Sequence, residues 1–268
     1  MHTILVMLLD RMDSADFSET DIIDWGSPVP SFGDSQRARV ATLGINPSNR
    51  EFVNGSGEEL DGPSRRFHTL NSLALNSWAE ADARHLGLII RTCREYFKRN
   101  PYDQWFKRLD ELVVGASASF YDEFSTACHL DLIPYATVQK WTSLKPGQRR
   151  KLLRSNGDAL GQLLRDSSIE VLILNGRSVV EQFQAISSGY LEAMEMPEWS
   201  LPRRVGPAVV GVSYEGKTDE VGGVDLGREV QVLGFNHNIQ SSFGVTTKVI
   251  HAIRDWISES VIGARNAS

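Results

Sequence analysis

Two short segments that lie far apart in the chain carry the side chains best suited to chemistry. Segment 40–48 and segment 232–238 each read as a buried strand that runs directly into polar residues. Asn46 follows the first strand, and His237 follows the second. If both strands belong to one parallel sheet, their carboxyl ends meet at one rim, where open α/β sheets bind ligands. The sequence therefore predicts that Asn46 and His237 face a common ligand.

The composition is that of a globular protein with one large core. The chain has 268 residues, of which 41% are hydrophobic, and this length suits a single α/β domain. The apolar residues 4–9 are too few to span a bilayer and have no basic leader before them. We expect a cytoplasmic protein without a membrane partner.

The two cysteines, Cys93 and Cys128, exclude a four-cysteine iron–sulfur cluster and have no metal-ligand spacing. We expect no metal and no cofactor.

Charge is unevenly distributed along the chain. Residues 1–34 contain seven acidic residues and one basic residue, Arg11; removing these from the totals of 34 and 28 leaves 27 of each sign. We interpret residues 1–34 as an acidic extension or a capping segment, and residues 35–268 as one domain. A window without acidic residues then contains Lys140, Lys145, Arg149, Arg150, Lys151 and Arg154. This window suits either a phosphate backbone or a solvated helix face.

The order of predicted elements determines the fold class. Apolar runs at 40–45, 127–133, 169–174 and 229–235 predict buried strands, and helical periodicity appears at 83–100, 103–114 and 147–165. A last helix should begin near Ser242 as N-cap, and segment 208–214 with the glycine-rich 216–227 predicts an edge strand and a loop. Alternating strands and helices predict an α/β fold with a mainly parallel sheet of about four core strands.

Three motifs in this order resemble those of the uracil-DNA glycosylase superfamily, over about residues 38–260. Gly44-Ile-Asn-Pro-Ser48 is similar to the first motif of its mismatch-specific and single-strand-selective branches, and Asn236-His-Asn238 is similar to the second. Asp131 stands three residues before Pro134, where the single-strand-selective branch has an asparagine. The resemblance implies a three-layer α/β/α sandwich. It also implies a base-binding pocket that includes Gly44, Ile45, Pro47, Ser48, Asp131, Asn236 and Asn238.

The resemblance also implies roles in breaking the bond between a base and deoxyribose. Asn46 would orient the attacking water, because an amide is a poor general base, and His237 would donate to a base oxygen as negative charge develops. The plainer alternatives are a turn asparagine before proline and a buried, hydrogen-bonded histidine. Phe67 matches the phenylalanine that stacks on the base, and Phe52 is a second candidate or a core residue.

The implied DNA contacts lie around this pocket. Arg65 and Arg66 would contact phosphates that flank a flipped nucleotide, as would Lys145, Arg149 and Arg150 of the basic window. The turn after His237 would place Ile239 or Gln240 as the wedge in the vacated base stack, unless it is an ordinary loop. No lysine lies in the matching motifs, so we expect hydrolysis without a lyase step.

Two departures from the family pattern bear on the substrate. Ser48 stands where the most uracil-restricted members have a tyrosine that blocks pyrimidine C5, so that edge is open. An ionised Asp131 is acceptor-only and suits the exocyclic amine of cytosine better than uracil O4, and a protonated Asp131 would also donate to N3. Together, Ser48 and Asp131 predict that the substrate is a 5-substituted cytosine. One such base is the glucosylated hydroxymethylcytosine of phage DNA, which defence glycosylases of this superfamily attack. The alternative is plain uracil with Asp131 as a backbone cap.

The predicted function is therefore that of a monofunctional DNA N-glycosylase that acts as a monomer on DNA. Two other classes stay open from the sequence. One is a modified-base sensor that has lost catalysis, and the other is a hydrolase of small nucleosides, which would not need the basic window.

Overall fold

The computed structural model describes residues 1–12, 14, 17, 20–100, 103–203, 205–240 and 244–266, with side chains as far as residue 263. The helices are α1 His2–Met12, α2 Leu70–Leu73, α3 Ala83–Arg94, α4 Tyr96–Arg99, α5 Gln104–Val113, α6 Pro146–Arg154, α7 Gly157–Arg165, α8 Arg177–Gln184 and α9 Thr247–Asn266. The strands are β1 Val40–Gly44, β2 Ala127–Asp131, β3 Val171–Asn175, β4 Glu192–Leu201, β5 Val209–Val221 and β6 Val224–Phe235.

The six strands form one mixed sheet with helices packed on it. Their spatial order is β2-β1-β3-β6-β5-β4. The first four are mutually parallel, whereas β5 and β4 extend the sheet in antiparallel pairing beyond β6. The predicted α/β class and the four parallel core strands are thus confirmed. Since β1 lies between β2 and β3, the carboxyl ends of these strands meet at one edge.

The core strands are mainly apolar because both faces of the sheet are covered. Every residue of β1, β2 and β3 is buried. Successive residues belong to opposite sides: Val171 and Ile173 pack with one hydrophobic cluster, and Leu172 and Leu174 pack with another. Helices α3, α5 and α9 contribute to the first cluster, and α6, α7 and α8 to the second.

The antiparallel half of the sheet differs from the prediction. Strand β5 continues from 209 to 221 and pairs on both sides, so it is not an edge strand, and most of the predicted glycine-rich loop belongs to the hairpin β5–β6. Gly222 and Gly223, with φ of 61° and 76°, form the turn between them. The edge strand is β4, which the sequence hides because it is mostly exposed, rich in glutamate and contains Pro197.

Three helical predictions also change in detail. The predicted helical stretch 83–100 is divided into α3 and α4, with Glu95 between them. The periodic stretch 147–165 is divided into α6 and α7 at Asn156, whose side-chain amide donates to the carbonyl of Leu152 at 2.6 Å and so ends the first helix. The last helix begins at Thr247. Ser242, the predicted N-cap, lies outside the described residues.

The amino-terminal helix packs against the rest of the molecule. Leu5 and Leu9 belong to one hydrophobic cluster, and Ile4 and Leu8 belong to the other. Arg11 forms an ion pair with Asp158 of α7 at 2.5 Å. The division of the chain at residue 34 stays a prediction. None of the helices in the described ranges is both long enough and apolar enough to cross a lipid bilayer.

Candidate active site

A cavity of about 450 Å³ opens at the carboxyl ends of the parallel strands. It lies where the sheet's strand ends and the segments that follow them converge, as ligand sites in α/β sheets do. The lining residues are Phe32, Gly44, Ile45, Asn46, Pro47, Ser48, Glu51, Asp103, Trp105, Phe106, His129, Asp131, Trp141, Thr142, Asn175, Gly176, Arg177, Ser178, Val179, Asn236 and Asn238. The predicted residues of segments 44–48, 131 and 236–238 are therefore brought together, except for His237.

Asn46 is held in one orientation at the end of β1. Its amide nitrogen donates to the hydroxyl of Thr137 at 3.2 Å and to the carbonyls of Pro47 at 3.1 Å and Tyr135 at 3.4 Å. All its hydrogen bonds to described residues involve this nitrogen. The amide oxygen is therefore the acceptor that Asn46 can offer to a ligand or a water.

Asp131 lies beside Asn46 because β1 and β2 are in parallel register, with Gly44 opposite Asp131. The carboxylate is only 5% exposed and lines the cavity. Within the described residues it pairs with the imidazole of His129, whose Nε2 lies 3.5 Å from Oδ1. A buried carboxylate needs donors, and here the cavity is the place from which a ligand would supply one.

Two further carboxylates share partners on the cavity wall. Arg66 lies 3.2 Å from Glu51 and 3.1 Å from Asp103, and the hydroxyl of Tyr96 donates to Glu51 at 2.9 Å. Burial raises the pKa of Glu51 to about 7, although Arg66 and Tyr96 oppose the shift. The wall therefore holds one carboxylate, Glu51, that changes charge near neutral pH.

The structure does not bring His237 to the cavity, which corrects the predicted meeting of Asn46 and His237. The imidazole is buried, and its Nε2 donates to the carbonyl of Trp199 at 2.8 Å. Asn236 and Asn238 line the cavity. The segment bends at Asn236 and His237 directly after β6, and the side chain between these two asparagines lies away from the cavity. Burial lowers the pKa of His237, and the bond to the Trp199 carbonyl opposes the shift.

Phe52 and Phe67 do not line the cavity either, and the predicted stacking position is corrected. Both are core residues, 2% and 1% exposed, and Phe67 stacks on Tyr96 with ring centroids 5.3 Å apart. Aromatic surface at the cavity comes instead from residues that the sequence did not indicate, namely Phe32, Trp105, Phe106 and Trp141.

The predicted wedge is also placed differently. Ile239 is fully buried in the core, so it cannot be the side chain that enters a base stack. Gln240 accepts a hydrogen bond from the amide of Asn175 at 3.0 Å. Ser241 and Ser242, the rest of this turn, lie outside the described residues.

The predicted phosphate contacts divide into two groups. Arg66 is occupied by Glu51 and Asp103 and is not available to a phosphate, and the neighbouring Arg65 is half-buried outside the cavity lining. The basic window behaves differently. Trp141 and Thr142, within it, line the cavity, and α6 follows directly. Of its basic residues, Lys140, Lys145, Arg150 and Arg154 are exposed, and Arg149 and Lys151 are half-buried.

Several lining residues carry a signal that the prediction did not use. Asn175 follows the buried run of β3 as Asn46 follows that of β1, and Gly176, Arg177 and Ser178 come next. The segment leads into α8, whose amino terminus therefore lies at the cavity. Asn175 is 4% exposed and its Oδ1 has no hydrogen-bond partner among the described residues. The polar residues after the third strand were thus as informative as those after the first.

Among the described residues, no three histidine, cysteine, aspartate or glutamate side chains are grouped so that they could hold a metal ion. Comparison of the chain with models of known protein families gave no match, and comparison with curated protein sequences gave none either.

Proposed function

We propose that this chain is a monofunctional DNA N-glycosylase that flips a modified pyrimidine out of DNA and hydrolyses its bond to deoxyribose, leaving an abasic site. The base we propose is a 5-substituted cytosine, such as glucosylated hydroxymethylcytosine of phage DNA, so that the protein would act in antiphage defence. One observation carries the proposal. Asn46 and Asp131, at the ends of the neighbouring strands β1 and β2, line one cavity of about 450 Å³.

The fold supports an assignment to the uracil-DNA glycosylase superfamily. Four parallel strands lie between two hydrophobic clusters to which different helices contribute, and this supports the proposal of a three-layer α/β/α sandwich. The residues of segment 44–48 lie together with Asn236 and Asn238 at the strand ends, as that family's pattern implies, although His237 does not.

The shape and polarity of the cavity suit a flipped base with several hydrogen-bond donors. Its volume is within the usual range for small-ligand sites, and its aromatic residues offer surfaces against which a planar ring can stack. The carboxylates of Glu51, Asp103 and Asp131 line it. Since ionised carboxylates accept and do not donate, an exocyclic amine and the hydroxyl groups of a substituent on C5 are fitting partners for Asp103 and Asp131, whereas Glu51 changes charge near neutral pH.

The chemistry we assign to the site is water orientation and base recognition. The amide oxygen of Asn46 would hold the water that attacks C1′, because its nitrogen is already bound to Thr137 and two carbonyls. Asp131 would accept from the base amine. His237 is given no role, since it faces Trp199.

Contacts with DNA are assigned to the surface next to the cavity. Arg177 and the amino terminus of α8 line the cavity, and backbone N–H groups at a helix start favour phosphate. On another side of the cavity, Trp141 connects it to the basic residues of α6. A strand bound along these elements would place one nucleotide at the cavity mouth.

The test is release of free base from defined DNA. Single-stranded and duplex oligonucleotides that carry cytosine, 5-hydroxymethylcytosine, its glucosylated form or uracil are incubated with the protein. Mass spectrometry then identifies free bases, and alkali reveals abasic sites. We expect release of the modified cytosine. Release of uracil alone would favour a uracil-DNA glycosylase of base excision repair and would overturn the proposed substrate.

A modified-base sensor without catalysis is the second candidate, and the position of His237 is the observation that favours it. The family's histidine lies away from the cavity, hydrogen-bonded to the Trp199 carbonyl. Tight binding of modified DNA without any released base would support the sensor and contradict the glycosylase.

A further inference from the structure

A short polar chain crosses the buried part of the sheet beside the cavity. Thr42 of β1 and His129 of β2 are directly opposite in the parallel register, and Thr42 Oγ1 lies 2.7 Å from His129 Nδ1. On its other side the imidazole approaches Asp131, with Nε2 3.5 Å from Oδ1. All three residues are at least nine-tenths buried. Buried polar groups without a full set of partners are costly, so this chain calls for an explanation.

Gly44 makes the close approach of this chain to β1 possible. A Cβ atom at position 44 would lie 2.5 Å from Asp131 Oδ1 and 3.0 Å from His129 Nε2. Any side chain there would therefore displace the carboxylate or the imidazole. The bare backbone at Gly44 lets Asp131 and His129 occupy the floor of the cavity together.

Aromatic side chains enclose the imidazole and fix its plane. The rings of Phe32, Trp105 and Phe106 meet the His129 ring in edge-to-face or steeply tilted contacts, with centroids 5.2–5.5 Å away. Such surroundings restrict both rotation of the ring and access of water. Within the described residues, the polar contacts of the His129 side chain are those of its ring nitrogens, with Thr42 on one side and Asp131 on the other.

The donor and acceptor pattern decides which nitrogen of the neutral imidazole carries the hydrogen. An ionised Asp131 offers only acceptors, so a lone pair on Nε2 would face a negatively charged oxygen. With the hydrogen on Nε2, the N–H group faces the carboxylate oxygen and the repulsion is replaced by attraction. Nδ1 then accepts the hydrogen bond that the hydroxyl of Thr42 can donate.

We propose that His129 is the positioning residue for base recognition. It fixes the carboxylate of Asp131 through Oδ1, so that Oδ2 stays directed at the cavity. Oδ2 then selects a base with a 4-amino group over its 4-oxo counterpart. This inference rests on the proposed function and adds a determinant of its substrate class. Unbound sites often have long contacts that shorten when the ligand arrives, and the 3.5 Å separation is within that range.

Two amide variants of His129 form a matched test. In His129→Gln the amide nitrogen can occupy the place of Nε2 and still donate to Asp131. In His129→Asn the shorter side chain reaches only the place of Nδ1, so the donor to Asp131 is lost. Thr42→Ser and Thr42→Val form a second pair, in which only serine keeps the hydroxyl.

The readout is the affinity for two nucleosides, measured by calorimetry: 5-hydroxymethyl-2′-deoxycytidine, which has the 4-amino group, and 5-hydroxymethyl-2′-deoxyuridine, which has a 4-oxo group. We expect the native protein and His129→Gln to prefer the amino form by about tenfold, the usual size of one good base contact. His129→Asn and Thr42→Val should lose that preference while their unfolding midpoints stay close to those of their partners. Nitrogen-15 spectra of the native protein should show the hydrogen of His129 on Nε2.

Equal preferences in the two His129 variants, or a hydrogen on Nδ1 in the native protein, would overturn the role of His129. This outcome is separable from failure of the proposed function. A protein that binds the amino nucleoside selectively but releases no base would keep the inference and lose the glycosylase.

Discussion

The amide of Asn46 is the single group on which hydrolysis depends most in the proposed function. Its nitrogen is bound to Thr137, Pro47 and Tyr135, so its oxygen is fixed. We expect Asn46→Ala to lower the rate of base release by about 100-fold or more, because the water loses its orientation, and to leave DNA binding almost unchanged. Single-turnover kinetics and a binding titration measure the two effects.

Asn49→Ala is the control for this variant. Asn49 follows in the same segment but does not line the cavity, and its amide donates to the carbonyl of Val138 at 2.9 Å. It should keep nearly the native rate. Equal activity of Asn46→Ala and the native protein would remove Asn46 from the mechanism.

Glu51 should make the stability of the protein depend on pH. Burial raises its pKa in the folded state to about 7 from an ordinary value of 4.5. The neutral form is therefore favoured by folding: the stabilisation is fully present below about pH 4.5 and is lost as the pH rises through 7. Between these limits the native protein should lose about 3 kcal/mol relative to Glu51→Gln, which stays neutral.

Urea unfolding of the two proteins at a series of pH values measures this difference, with the exposed Glu95→Gln as control. A constant difference in unfolding free energy between the native protein and Glu51→Gln over the whole range would show that folding does not shift the pKa of Glu51.

How far single residues could be predicted depended on whether they follow a strand or lie within one. Asn46 and Asn236 stand directly after apolar runs, and Asp131 stands near the end of one, so the pattern indicated all three. His129 lies inside a buried strand, and nothing in an apolar run shows that one polar member faces a cavity. His237 was misplaced because the side chains of its neighbours Asn236 and Asn238 line the cavity and that of the histidine does not.

In the proposed function, helix α6 is one of two elements to which DNA contacts are assigned. Arg149 and Arg150 lie on it, close in sequence to Trp141 at the cavity. Reversal of both charges should weaken binding to all sequences alike and reduce the salt dependence of binding, because fewer phosphate counterions are released. Fluorescence anisotropy at several salt concentrations measures both quantities.

The matched control reverses the exposed Arg84 and Arg91 of α3, which changes the net charge equally on a helix that does not line the cavity. If both double variants weaken binding to the same extent, only the net charge matters and α6 has no particular role.

The turn of the hairpin β5–β6 gives a sharp test of the fold. Gly222 and Gly223 both have positive φ, but only at Gly222 would a Cβ collide, 2.1 Å from the backbone carbon of Gly157 in α7. Gly223→Ala should cost about 1 kcal/mol of backbone strain, and Gly222→Ala should cost at least about 3 kcal/mol because α7 must also move. Urea unfolding measures both. Equal losses would mean that α7 does not pack on this turn.

The elements that the sequence predicted well are those in which the apolar residues follow one clear pattern. Apolar runs identified the four parallel strands, and amphipathic spacing identified α3, α5 and α9. Much of the hairpin β5–β6 was mistaken for a loop because it contains several glycines, and the alternation of apolar and polar residues around them is weak. The edge strand β4 is buried only near its end, at Trp199 and Leu201, and its exposed first half has no regular alternation, so its pairing with β5 comes from tertiary context.

At the scale of the whole molecule, α1 contributes to both hydrophobic clusters. Ile4, Leu5, Leu8 and Leu9 are nearly inaccessible to solvent. Deletion of residues 1–12 should therefore lower the unfolding midpoint by several degrees or more and expose apolar surface. Differential scanning calorimetry and binding of an apolar dye measure the effect.

Arg11→Met keeps the apolar face of α1 and removes the ion pair with Asp158 and the hydrogen bond to the carbonyl of Ser155, so it should cost far less, about 2 kcal/mol. An unchanged midpoint after the deletion would mean that the acidic first 34 residues include a dispensable extension.

The position of α6 beside the cavity also bears on how the protein would find a rare base. A helix that holds phosphates without regard to sequence lets a protein diffuse along the duplex and test successive nucleotides before it dissociates. Since this helix is joined to the cavity through Trp141, each step would bring a new nucleotide to the same opening. The rate of the search along a long genome would then depend more on how often a base leaves the stack than on how often the protein meets DNA from solution.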